Sequence, residues 1–360
     1  MLAAVLHECP GWLDITDLEV GSIGPHEVLV HTNAAGLCHS DLHCIEGTLL
    51  IGVPTVLGHE SSGVVEAVGA DVTDFRPGDE VIACTSAACG LCPTCTTGRP
   101  HMCQNRPSRT SGLGPALSEN GVPVDQFAGV GGFAEQMLLP EQALLKIDDK
   151  VPVDVAALVG CAVTTGLGAV FNTAKVPPGA TVAVIGCGGI GLNVVQGAVV
   201  AGAARVIAVD VAAEKLDRAR TFGATDTVDA TVGDPVGQVQ EITRGGVEYS
   251  FEALGRKATS EQAFGMLAPG GTATIIGLSP AGTMFELPAL DFLREKKIQG
   301  SIMGSNRFRI DMPYYLDLYR QGRIKLDELI SERIKLDEIN DGYKTLQAGT
   351  GARSVIVFDA

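Results

Sequence analysis

The chain has 360 residues with 26 basic and 42 acidic side chains, a formal charge of −16 and a pI near 4.8, which argues against nucleic acid as a partner. Apolar residues at 46% and charged residues at 19% exclude a largely disordered chain, and the length suggests two domains at ~100 to 200 residues each. With 45 glycines and only 5% aromatics, the expected core is built from Val, Ile, Leu and Ala.

Met1 to Pro10 carries no basic region ahead of an apolar stretch, so the expected compartment is the cytoplasm. Thiols stay reduced there, and ten cysteines at short spacings point to metal before disulfides. The first 160 residues read as short strands between turns: Glu27 to Thr32, Gly63 to Val68, and Glu80 to Cys84 after Pro77-Gly78-Asp79. Loops between them carry soft or borderline metal ligands beside glycine, Cys38 after Gly36-Leu37 and His59 after Gly58, and Cys161 follows Gly160 further on. Two thiolates and an imidazole leave the fourth position of a tetrahedral zinc open, as catalysis needs. Spacing alone leaves a structural role for each residue equally open.

Cys89, Cys92, Cys95 and Cys103 place four thiols in fifteen residues, with Gly90, Pro93 and Gly98 turning the chain between them. Such a set closes a structural zinc shell, and the same count could ligate an iron-sulfur cluster. Cys9, Cys44, Cys84 and Cys187 read as small buried hydrophobes.

From Val155 to Ala204 the only charge is Lys175, a stretch that would satisfy a membrane-span search. Pro177-Pro178-Gly179 breaks it, so buried structure and no membrane partner are expected. The run Thr181 to Ile185, the helical Ile190 to Ala201 and the run Arg205 to Val209 then make a βαβ unit. Gly186, Gly188, Gly189, Ile190 and Gly191 lie in a G-x-G-x-x-G turn between the first strand and the helix, where backbone and helix dipole receive a pyrophosphate. In a glycine-rich chain this alone could be an ordinary turn. Asp210, nineteen residues after Gly191, can accept from the adenosine ribose hydroxyls and would repel a 2′-phosphate, which favours NAD over NADP. A plain surface carboxylate is the alternative. Ala212 to Phe222 is helical up to Gly223, and Val247 to Ala253, Thr272 to Leu278 and Ile298 to Met303 supply further strands of a doubly wound sheet.

In order and spacing the motifs G-L-C-H-S-D at 36 to 41, G-H-E at 58 to 60, the four-Cys lobe at 89 to 103, G-C-A-V-T-T-G at 160 to 166, G-C-G-G-I-G at 186 to 191 and the distal Asp210 resemble the zinc-dependent medium-chain alcohol dehydrogenases, over essentially the whole chain. The resemblance implies an α/β protein. A GroES-like, mostly β catalytic domain spans 1–162 and 304–360, and a Rossmann doubly wound parallel-sheet domain spans 163–303. It implies two zinc ions per subunit, catalytic on Cys38, His59 and Cys161 and structural on the four-Cys lobe, with NAD as cofactor. An alcohol acidified on the metal would give its hydride to the nicotinamide, and its proton would leave through Ser40 and His43. Asp41 would orient His59, and Glu60 could approach the metal during ligand exchange. Thr165 would pack on the nicotinamide, Lys215 would meet the ribose and Arg353 a phosphate. His39 stands where the family has a basic phosphate contact, a departure that makes this contact weaker and pH-dependent.

Thr85 falls where relatives often carry an aromatic wall, so a bulky primary alcohol, medium-chain, benzylic or allylic, or its aldehyde, is the expected substrate. A branch that oxidises the adduct of formaldehyde with glutathione or mycothiol is the alternative, for which Arg106 and Arg109 could hold the anionic thiol. A non-enzymatic NAD-binding protein is the remote one. The 57 residues between Cys103 and Cys161 have room for an excursion common in dimeric members, so a homodimer is expected, joined through the hydrophobic edge Ile298 to Met303.

Overall fold

In the computed structural model, residues 1–148, 151–349 and 351–359 are described, and the elements below are those among them. The chain divides into two compact units, 1–161 with 307–316 and 326–360, and 162–306 with 317–325.

The first unit is built on two sheets. In one, Leu13–Asp17, Leu2–Leu6, Thr55–Val56, Val122–Gln126, Leu117–Glu119 and Glu19–Val20 lie side by side. In the other, Glu27–Gly36 is the central strand, flanked by Ser61–Val68, Gln136–Pro140 and Arg353–Val357. Val28, Val30, Val65, Val81, Met137, Leu139 and Leu144 fill the core of the second sheet. Leu6, Leu37, Leu42, Leu57, Phe133 and Tyr343 belong to another core cluster, in which the helices His39–Ile45 and Ile339–Gln347 bury one face each.

The second unit holds six parallel strands in the order Asp226–Asp229, Arg205–Asp210, Thr181–Ile185, Val247–Glu252, Leu267–Ile275 and Lys297–Gly300. Read in chain order this is 3-2-1-4-5-6, the dinucleotide-binding arrangement, with its switch point beside Thr181–Ile185.

Three sequence expectations need correction. Residues 162 and 304–306 were expected with the catalytic domain and belong to the nucleotide unit, as do residues 317–325. Lys325 ties them there, its N donating to Gln196 Oε1 at 2.9 Å and its Nζ to Thr221 O at 2.8 Å. The strand expected over Thr272 to Leu278 runs Leu267–Ile275, because Pro269-Gly270-Gly271 sits inside the strand at an irregularity in its register rather than in a turn before it. The last strand stops at Gly300, and Met303–Ser305 form a tight turn at positive φ. A Cβ on Gly304 would stand 2.3 Å from Thr164 O, so close packing against the helix fixes that turn.

Val153–Ala174 is one continuous helix, apolar and long enough by composition to cross a membrane, yet almost wholly buried inside the protein as core helices are. It alternates α turns with π turns at Val159–Val163 and Ala169–Ala174.

Candidate active site

Three backbone devices bring distant loops together in the first unit. Gly36 N donates to Glu60 O at 2.8 Å where the central strand ends, delivering Cys38 to the head of the helix His39–Ile45. Gly58, at φ +89, lies so close to Phe133 that a Cβ would meet its ring at 2.7 Å, and His59 follows it. Cys161 sits in the first π turn, a feature found often at functional sites, and Gly160 allows that turn within 2.8 Å of Ala83 O, measured from where a Cβ would be.

Cys38, His59 and Cys161 are all buried, with their ligand atoms within 4.8 Å of one another. The Cys161 thiol bonds to Cys38, which holds the Cys38 thiol well below its usual range, against burial and with help from Arg353, and pushes Cys161 well above. Burial would lower the His59 imidazole, but the charges of Asp41 and Cys38 outweigh it and raise it. A divalent zinc would take the place of those shared protons, and two thiolates and an imidazole gathered this closely are donors that suit its tetrahedral shell. Asp41, fully buried, accepts at Oδ1 from Gly58 N at 2.9 Å and from His59 Nδ1 at 3.1 Å. Because a carboxylate only accepts, Nδ1 carries the proton and Nε2 is left for metal. Asp41 is therefore no helix cap.

Ser40 Oγ lies 3.8 Å from Cys38 Sγ, and His43 follows three residues later on the same helix, half-buried, its Nδ1 without a hydrogen-bond partner among the described residues. His39 is exposed at the helix start. Arg353 is 3% exposed: Nη1 donates to Leu37 O at 2.9 Å, Nη2 lies 3.7 Å from Cys38 Sγ and Nε 3.5 Å from Glu60 Oε2. The guanidinium thus lies beside the Cys38 thiol and balances Glu60. Phe127 escaped the sequence reading, since nothing nearby marks it. Its ring meets that of His59 edge-on at 5.7 Å, whereas Thr85 is small and buried.

In the lobe, Cys92 Sγ lies 3.4 Å from Cys95 Sγ and 3.8 Å from Cys103 Sγ, which is 3.6 Å from Cys89 Sγ. Those are edges of the ~3.8 Å tetrahedron that four ~2.3 Å zinc–sulfur bonds require. The Thr94 hydroxyl and backbone N–H groups bring the Cys92 thiol down to about 5. Arg106 donates to Thr85 O, and Arg109 pairs with Glu27 and bonds Ser22 O and Gly114 O.

The second unit shapes a dinucleotide turn. Gly186 takes φ +91, and a Cβ on Gly191 would stand 1.7 Å from Gly186 O, so only glycine lets helix Gly189–Val200 meet its strand. A Cβ on Gly188 would meet nothing within 4 Å, leaving that face open to a ligand. Asp210 Oδ2 accepts from Cys187 N at 2.8 Å, and Oδ1 from Val211 N and Ala212 N. Lys215 is half-buried in the following helix Ala213–Thr221, and Thr165 is buried with its hydroxyl 3.6 Å from Met303 Sδ.

Family models for the alcohol dehydrogenase GroES-like domain and the zinc-binding dehydrogenase match residues 24–149 and 189–320. An alcohol dehydrogenase class-3 of Zea mays is 37% identical over 98% of this chain and 96% of its own length. The structure of benzyl alcohol dehydrogenase from Acinetobacter calcoaceticus superimposes with TM-score 0.93 at 32% identity, covering 99% of both chains. A protein described as a zinc-binding dehydrogenase from Sinorhizobium meliloti 1021, solved bound to NADP, gives 0.84 at 31% identity over 99% of both chains. The chain belongs to the medium-chain dehydrogenase/reductase superfamily, among its zinc-dependent alcohol dehydrogenases, and works with zinc and a nicotinamide cofactor on small-molecule alcohols or aldehydes.

Proposed function

We propose that the chain passes a hydride reversibly between NAD and a primary alcohol/aldehyde pair, medium-chain, benzylic or allylic. One zinc would sit on Cys38, His59 and Cys161 and one on the four-Cys lobe. The observation that carries this reading is a buried donor set one ligand short of a tetrahedron. Zinc so held acts as a Lewis acid toward an alcohol or carbonyl oxygen, and nicotinamide exchanges the hydride.

The chain's own residues do the rest. Asp41 fixes the His59 tautomer, and Arg353 with Glu60 balances charge behind Cys38. Ser40 would take the substrate proton and His43 pass it outward, a relay supported by Ser40 lying beside Cys38 and His43 one helical turn on. The small Thr85 and the aromatic edge of Phe127 beside His59 support benzylic alcohols, as does the likeness to a benzyl alcohol dehydrogenase. Asp210 supports NAD, since its charge meets a 2′-phosphate unfavourably. Because one neighbour holds NADP, the discriminating variant is Asp210→Ser, for which a lowered NAD over NADP ratio of kcat/KM is expected and an unchanged ratio contradicts the assignment.

The engagement of Arg106 and Arg109 within their own unit favours free alcohols over a thiol adduct. Aromatic and medium-chain alcohols assayed by NADH absorbance should turn over without added thiol; turnover confined to formaldehyde with glutathione or mycothiol contradicts this. Replacement of His43 by Gln should depress turnover while leaving zinc content unchanged, and unaltered turnover rejects the relay. Ten free cysteines support the cytoplasm as compartment. Exposed Leu290, Phe292 and Leu293 precede the edge strand Lys297–Gly300, which supports a homodimer joined there.

A further inference from the structure

Tyr343, in helix Ile339–Gln347, is fully buried and meets Phe133 edge-on with ring centroids 6.2 Å apart. Its hydroxyl has no hydrogen-bond partner among the described residues, and neither has Asp41 Oδ2, although both are buried and leaving such atoms unpaired is costly. The two lie in one corner of the fold. Phe133, against Tyr343, is the side chain that abuts Gly58, and Gly58 N holds Asp41 Oδ1. On the other side Gly342 approaches Leu37 so closely that a Cβ would stand 2.8 Å from it, and Leu37 directly precedes Cys38. Burial, and after it the charge of Asp41, keep the Tyr343 phenol well above its usual range.

We propose that Tyr343 is a positioning residue for His59, its hydroxyl donating through one buried water to Asp41 Oδ2. Held at Oδ1 alone, a carboxylate can swing about a broad torsion and release the imidazole. A donor on the second oxygen stops that rotation and keeps His59 Nε2 aimed at the metal. The inference rests on zinc binding by Cys38, His59 and Cys161.

The test follows zinc release to a chromogenic chelator from the zinc-loaded full chain, its Tyr343→Phe, Asp41→Ala and doubly substituted forms, and Cys161→Ser to identify the three-donor phase. Tyr343→Phe should speed that phase about three- to tenfold, below the ~10 to 100-fold expected of a direct partner, and leave the four-Cys phase unchanged. On Asp41→Ala it should add nothing further, because both act through one contact. Equal release from parent and Tyr343→Phe, equal acceleration of both phases, or additivity with Asp41→Ala overturns the proposal alone. If Cys161→Ser removes no zinc phase, the metal assignment fails and the proposal with it.

Discussion

Asp41 Oδ1 is shared by two donors, Gly58 N and His59 Nδ1, in a site shielded from bulk solvent. Asp41→Ala strands both donors and frees the ring to turn, so we expect roughly 10 to 100-fold weaker zinc binding at this site, read by chelator competition, with four-Cys zinc untouched. Ligand chemistry restricts metal sites to few side chains, so Cys38, His59 and Cys161 stood out as candidates in the sequence, but their grouping and the role of Asp41 came from the family resemblance. Phe127 and Tyr343 were not legible. An aromatic side chain in a loop or helix reads the same whether it faces core or metal, and only its neighbours in space distinguish the two. Arg353 was named from the family resemblance, but sequence could not reveal that Leu37 O, Cys38 and Glu60 surround its charge.

At the scale of elements, the dinucleotide turn separates two uses of glycine. Gly191→Ala drives a methyl into Gly186 O, so we expect about 3 kcal/mol or more of lost stability, seen as a lower unfolding midpoint. Gly188→Ala meets open space at φ −82, and should cost less than about 1 kcal/mol while weakening NADH binding, because its methyl occupies the face a pyrophosphate approaches. In the outer sheet His7 bonds Glu119 Oε2 at 2.7 Å and Asp14 Oδ2 at 3.0 Å, clasping two strands to the one it follows. The Glu119 bond raises its pKa against burial, with Asp14 assisting. This stability is present in full below the unfolded value near 6.5 and is lost as pH rises through the higher folded value. His7→Gln should therefore lower the unfolding midpoint at pH 6 more than at pH 8, and an equal change at both would contradict the clasp. The parallel strands were legible as continuous apolar runs, whereas their ends were not: the chain leaves the last strand at Gly300 because Met303–Ser305 must turn tightly against a helix, although the apolar pattern continues.

For the whole molecule, both units could be anticipated from their order of motifs, but not the transfer of 317–325 to the nucleotide unit, which depends on hydrogen bonds to Gln196 and Thr221 far away in sequence. The proposed dimer is testable at the exposed apolar residues before the edge strand: sedimentation velocity should give a dimer, and Leu293→Glu, which sets a charge among them, should shift it toward monomer without loss of fold. The central claim is that two sulfurs and one imidazole from separate loops share a divalent ion. Elemental analysis of the active protein and of Cys161→Ser addresses it directly. The account expects two zinc equivalents per chain, falling to one with activity abolished in the variant; one equivalent in fully active protein, or no loss of metal on removing the Cys161 thiol, would contradict it.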